Sequence, residues 1–142
     1  MGDVGDPYNL QRFVEAQEGI FDTALAELKA GRKRSHWMWF IFPQLAELGR
    51  SQTAKFYGIV SLEEARAFLE HPLLGDRLRQ IIEAVLPWAK QRTAEEIFGP
   101  VDTLKFRSSL TLFDRVQPGG LFKDALEAFH RAPDEQTLAL LN

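Results

Sequence analysis

Residues Asn9 to Gly31 read NLQRFVEAQEGIFDTALAELKAG, and their apolar positions decide the class of fold. Leu10, Phe13, Val14, Gln17, Ile20, Phe21, Ala24, Leu25 and Leu28 recur at steps of three and four, the period of one helical face. The spacing predicts one long first helix. Asp6-Pro7 or Asn9 can start it, and Gly31 stands where a left-handed residue ends a helix.

Downstream the same period returns between clear punctuation. Ser61 and Glu64 are spaced as a capping box, which opens a helix over Leu62 to Glu70, and His71-Pro72 separates it from the next. Leu74, Leu78, Ile81, Ile82 and Val85 give that helix its apolar face as far as Pro87. Thr93 and Glu96 form a second capping box before Gly99-Pro100. Asp102 reads as the cap of a helix running to about Val116. Gln117-Pro118-Gly119-Gly120 is a turn, Leu121 to Phe129 is helical again, and Asp134 caps a last helix through Leu138 and Leu141. Nothing alternates at strand period for long. The expectation is an all-α fold of roughly six to eight helices, without internal repeats.

Composition sets the bounds. The 142 residues are 45% hydrophobic, with 11 Phe and 3 Trp, enough to bury a core without disulfides or a structural metal. One domain over residues 1–142 is expected, its first six residues flexible. The absence of Cys excludes disulfide scaffolds, thiolate zinc sites and cysteine nucleophiles. An acidic, polar N-terminus unlike a secretory signal points to a cytoplasmic protein, and the apolar run Trp37 to Phe42 is far too short to span a bilayer. A net charge of −3 argues against a general nucleic-acid binder.

One segment departs from what folding alone requires. In Gly31 to Gln44, GRKRSHWMWFIFPQ, cations give way at once to aromatic bulk. The cations can complement the negative end of the preceding helix while the aromatics fill the core. Alternatively the aromatics wall a pocket and the cations form its mouth, an arrangement suited to a phosphate bearing a planar ring. Gln44, just after Pro43, can satisfy backbone groups or read a ligand. His36 is the one histidine placed to act as an acid or base, whereas His71 reads as a cap and His130 as a surface residue. No metal-ligand spacing occurs. Gly49 to Lys55 has the residue types of a phosphate loop without its frame, so Ser51 reads as an N-cap. On the Asp102 to Phe113 helix, Lys105, Ser108, Ser109 and Leu112 are neighbours. The serines can bond back to the preceding turn, and a buried Lys105 would need Asp102 or a ligand anion.

The blocks PYNLQRFVEAQ, ELKAGRKRSHWMWFIFPQLAELGRS, EEARAFLEHPLLGDRL and IFGPVDTLKFRSSLTLF closely resemble, in order, those of a bacterial domain-of-unknown-function family. Its members often carry an automatic calpastatin-like label. The resemblance spans about Asp6 to Leu141 and implies a single all-helical domain without an established activity. The label carries no weight, because calpastatins are disordered inhibitors and this chain is rich in core residues. Phe13, Ala16-Gln17 and Lys105-Phe106 with Leu110 are also similar to NADAR domains, helical proteins associated with ADP-ribose and N-glycosidic bond chemistry. Those domains place an acidic residue and His before the aromatic, where this chain has Gln11-Arg12. The similarity implies binding of an ADP-ribose-like molecule, with the chemistry lost or moved to a residue such as Glu15.

The functional expectation is a domain that binds, and could process, an anionic nucleotide-like or sugar-phosphate-like molecule. Lys33, His36, Trp37 and Gln44 would lie on one side of it and Asp102, Lys105 and Ser108 on the other, with no cofactor implied. Two alternatives stand beside it. An exposed aromatic patch could dock a protein partner without catalysis, or Lys29 to Arg34 could bind single-stranded nucleic acid, which the overall acidity disfavours.

Overall fold

The computed structural model describes residues 5–130 and 132–141. Ten α-helices are present among them: α1 Gln11–Gln17, α2 Phe21–Lys29, α3 Met38–Ile41, α4 Gln52–Phe56, α5 Leu62–Glu70, α6 Leu74–Val85, α7 Ala94–Phe98, α8 Asp102–Val116, α9 Leu121–Phe129 and α10 Glu135–Leu141. Two 3-10 turns, Ala46–Leu48 and Leu86–Lys90, join their neighbours. The class is as expected. The count is higher than six to eight because the first helix is divided in two and a four-residue helix, α3, forms within the basic-aromatic segment, beside the short helices expected after Ser51 and Thr93.

The long first helix is two. Glu18 takes an extended ψ of 121° and Gly19 a φ of +75°, so the chain breaks after Gln17 and re-enters helix at Phe21. Both halves keep their apolar positions inward, which is why periodicity alone ran through the break. The expected flexible N-terminus lies largely in residues 1–4, outside the described residues. Asp6 is engaged, its carboxylate accepting the amides of Leu10 at 2.6 Å and Gln11 at 2.9 Å. It thereby satisfies free donors at the start of α1.

Several caps form as read. Thr93 and Glu96 complete a reciprocal capping box, Ser51 Oγ accepts Ala54 N, and the Asp134 carboxylate accepts Thr137 N. His71 Nδ1 accepts the amides of Leu73 and Leu74, capping the start of α6 rather than the end of α5. Other expectations needed correction. Ser61 Oγ accepts Glu64 N, but the Glu64 carboxylate reaches Val60 N and the Arg12 guanidinium instead of closing the box. Asp102 makes no cap, because two lysines draw its carboxylate away.

The buried apolar residues other than Ala54 form one cluster, threaded by aromatic contacts. Phe68 meets Phe13 edge-on at 5.1 Å and Phe113 at 5.4 Å, and Phe106 packs on Phe98 at 4.4 Å and Phe42 at 5.1 Å. Such pairs each add about 0.5–1.5 kcal/mol beyond the area they bury. Helix α8 lies at the centre, against α3, α5, α7, α9 and α10. Gly75 lets α6 approach α5 closely: a Cβ there would sit 1.9 Å from the Leu69 carbonyl oxygen.

Candidate functional site

Segment 31–44 begins at a tight helix end. Gly31, at φ +79°, donates to the Leu28 carbonyl, and Arg32 N donates to Glu27 O, the paired bonds of a Schellman motif. The Glu27 carboxylate then gathers the chain from Arg34 to Trp37 around itself. It accepts Arg34 N at 2.8 Å, Ser35 N at 3.0 Å, the Ser35 hydroxyl and the Trp37 indole at 2.9 Å. Burial pushes its pKa up, but hydrogen bonds from the Ser35 side chain, the Arg34 amide, Trp37 and the Ser35 amide outweigh that and hold it at about 2.

These bonds decide the fate of the predicted ligands. Trp37 is wholly buried and its indole N–H is consumed by Glu27, so it packs in the core. Lys33 turns inward. Its ammonium, whose side chain is 7% exposed, pairs with Asp102 at 2.8 Å, donates to Ser35 O at 2.6 Å and lies 5.0 Å from the Trp37 ring. His36 is exposed and lines no cavity with the other predicted residues. His130, read as a surface residue, is half-buried against Phe106 and Phe129, with Nε2 buried and unpartnered.

The other half of the prediction converges. After α3 and Pro43, the Gln44 carbonyl accepts Ile59 N at 2.9 Å and Ile59 O accepts Ala46 N at 2.8 Å, a parallel bridge that fixes the chain beside α4. This leaves the Gln44 side chain on the wall of a cleft of about 690 Å³, where Lys105 and Ser108 of α8 also lie. Trp39 lines it too, half-buried, with its ring 5.7 Å from the Lys105 ammonium. Behind them the Asp102 carboxylate bridges Lys33 and, at 3.5 Å, Lys105. The two polar blocks therefore meet through one carboxylate, with Lys33 and Asp102 supporting Lys105 from within.

The rest of the lining lies outside the expected ligand contacts, Gly49 to Lys55 being discounted there for lack of a phosphate-loop frame. Leu48, Gly49, Arg50 and Ser51 form one side, Val101, Leu104 and Arg107 extend the α8 side, and Asp134, Glu135 and Gln136 of the α10 start close the end. Arg107 is committed to the Ala132 and Pro133 carbonyls at 3.0 Å each, and Asp134 to Thr137, so Arg50, Lys105 and Glu135 are the charges left facing the space. Ser108 Oγ donates back to Leu104 O at 3.0 Å, as expected of a serine inside a helix. A planar indole, a side-chain amide and two cations around a concave space can hold an anion joined to a flat ring. No group of His, Asp and Glu among the described residues is placed to hold a metal ion.

A comparison with curated proteins finds no match. Among solved structures, the chain is similar to the conserved hypothetical protein Rv1873 from Mycobacterium tuberculosis, at 49% identity and a TM-score of 0.92, covering 96% of this chain and 98% of that one. The model of the DUF1810 family, described as proteins of unknown function, matches residues 7–141, and the chain belongs to that family.

Proposed function

We propose that this protein binds an anionic, ring-bearing small molecule of the nucleotide or ADP-ribose class in the cleft between the Trp39–Gln44 segment and α8. The observation that supports the reading is that Gln44, Lys105 and Ser108, from two distant sequence blocks, line one space together with Trp39. Trp39 offers a face for stacking, Lys105 and Arg50 offer charge to a phosphate, and the Gln44 amide offers both a donor and an acceptor. Asp102 is a positioning residue: its carboxylate holds the Lys105 ammonium at 3.5 Å while Lys33 balances the charge. The chemistry attributed to NADAR domains at the position before Phe13 has no counterpart here, because Arg12 is engaged by backbone carbonyls and Glu64.

Calorimetry with ADP-ribose, nucleoside diphosphates and sugar phosphates tests this reading. Saturable binding is expected, weakened about tenfold by Trp39→Ala and by Lys105→Met, the worth of one stacking or charge-assisted contact of about 1.4 kcal/mol. Failure of all three ligand types to bind, or binding indifferent to both substitutions, would refute it.

A second reading, docking of a protein partner, draws on Val101 and Leu104, each 63% exposed at the lip of the same cleft. The tryptophans favour the first reading. Trp37 is in the core and Trp39 is recessed beside Lys105, so neither stands on a convex face as an interface anchor would.

A further inference from the structure

The residues between α2 and α3 present a second arrangement, on the opposite side of Lys33 from its ion pair. Arg32 and Arg34 are exposed while Lys33, between them, is turned inward to Asp102. Arg32, Arg34 and Arg92 line one cavity of about 490 Å³ with Ala30 and Glu96. We infer that this three-arginine face is a binding site for a small multivalent oxyanion of the diphosphate type, separate from the cleft.

Rigidity supports the inference. The backbone carrying Arg32 and Arg34 is fixed by Arg32 N to Glu27 O, Lys33 N to Ile97 O at 2.8 Å, and the Glu27 carboxylate on Arg34 N. The Arg92 guanidinium donates to Gly31 O at 2.7 Å and lies 4.7 Å from the Trp88 ring, whose indole donates to Lys29 O. Three guanidinium groups are thus carried by anchored chain, which lowers the ordering cost that weakens most surface ion contacts. Charge supports it too. Glu96 is the one carboxylate in the cavity wall, and its Oε1 already accepts Thr93 N at 2.8 Å. Arg32 and Arg34 have no carboxylate partner among the described residues, although the chain supplies one to Lys33, Arg12 and Lys105. Three cations thus share the cavity with a single carboxylate, which lies near Arg92, and a planar guanidinium fork matches phosphate oxygens in a bidentate way.

The lining also selects the ligand. Every residue on the cavity wall except Ala30 is charged, and the Trp88 ring is covered by Arg92, so no open aromatic face is offered to a base. The site would therefore read phosphate oxygens, not nucleobases.

Indole resonances separate the sites, since Trp37 lies in the core, Trp39 in the cleft and Trp88 beneath Arg92. In a titration of the full chain with inorganic pyrophosphate at physiological salt, the Trp88 indole N–H is expected to shift saturably. Arg32→Ala/Arg34→Ala, which removes side chains with no partner among the described residues, should weaken that response about tenfold. The Trp39 resonance should be that of the parent and the melting temperature no lower. An unmoved Trp88 signal, or one that shifts equally in the double variant, overturns the assignment. So does binding of a single-stranded oligonucleotide through these arginines where pyrophosphate does not bind. Because Trp39 reports the cleft independently, failure here and failure of the cleft reading are distinguishable.

Discussion

The buried pair Arg12–Glu64 should be the most sensitive electrostatic element in the fold. Its nitrogen and oxygen lie 2.8 Å apart, and the two side chains are 9% and 3% exposed. The guanidinium also donates to the carbonyls of Phe56 at 2.7 Å, Tyr8 at 2.6 Å, Asn9 at 2.8 Å and Gly58 at 3.0 Å, while Glu64 Oε1 accepts Val60 N. One arginine therefore ties the start of α1 to the turn after α4 and to α5. Removing one partner of such a pair costs about 3–5 kcal/mol, since the remaining charge stays buried and unpaired. Arg12→Ala, which also strands four carbonyls, is expected near about 4 kcal/mol and Glu64→Ala near about 3 kcal/mol. The double variant should lose about 5 kcal/mol, less than the sum, because neither charge is then left alone. Urea unfolding at neutral pH, followed by far-UV circular dichroism, measures all four corners of the cycle. For a chain of this length the Arg12→Ala loss corresponds to a fall of about 10–15 °C in melting temperature. A single-variant loss below about 1 kcal/mol, or strictly additive losses, would show that the pair is solvated and that the packing argument is mistaken.

Two further outcomes rest on local geometry. Burial, with the nearby Arg107 charge, lowers the His130 pKa from 6.5 to about 4, so between those values the unfolded chain binds the proton and the folded chain does not. Stability should then fall as pH drops from about 6.5 to about 4 and level off below, by about 2 kcal/mol once solvent screening of the partly exposed ring is allowed for. His130→Phe should flatten urea midpoints over that window, and a parental slope in the variant would remove His130 as the cause. Gly75→Ala would ordinarily gain up to about 1 kcal/mol of helix propensity in α6. Its Cβ would meet the Leu69 carbonyl oxygen at 1.9 Å, so a net loss of about 2–3 kcal/mol in thermal unfolding is expected, and a rise in melting temperature would contradict the close approach of α5 and α6.

The helical class was legible because burial of one face imposes its period on the sequence, and the caps at Ser51, Thr93 and Asp134 are local rules that tertiary contacts left alone. The break at Gly19 was hidden because the apolar pattern continues across it, and a glycine inside a periodic run carries no mark of its own φ. Glu64 and Asp102 show a different limit. Each stands at a capping position, yet each is drawn to a distant cation, a competition the local spacing cannot reveal. The short helix α3 has no side-chain cap and no periodic run to mark it, and buries Met38 and Ile41 in the core.

In the basic-aromatic junction, residue type alone does not say which side chains the fold itself uses. Within Arg32-Lys33-Arg34 the central cation has a carboxylate 2.8 Å away, while the outer two guanidinium groups have no carboxylate partner among the described residues. Within Trp37-Met38-Trp39 the first indole is spent on Glu27 and the second lies near Lys105 at the cleft. In each triplet neighbouring residues of like chemistry point to opposite sides of the chain, one side satisfied by the fold and the other left open. A residue whose polar group the fold already satisfies would have to break that contact to serve a ligand, and one left open would not. By that criterion the fold already engages Lys33 and Trp37, whereas the two proposed sites draw on Trp39, Arg32 and Arg34. Lys105 joins the two classes, held by Asp102 at 3.5 Å, longer than the Lys33 contact, so a ligand phosphate could compete for its ammonium without dismantling the core.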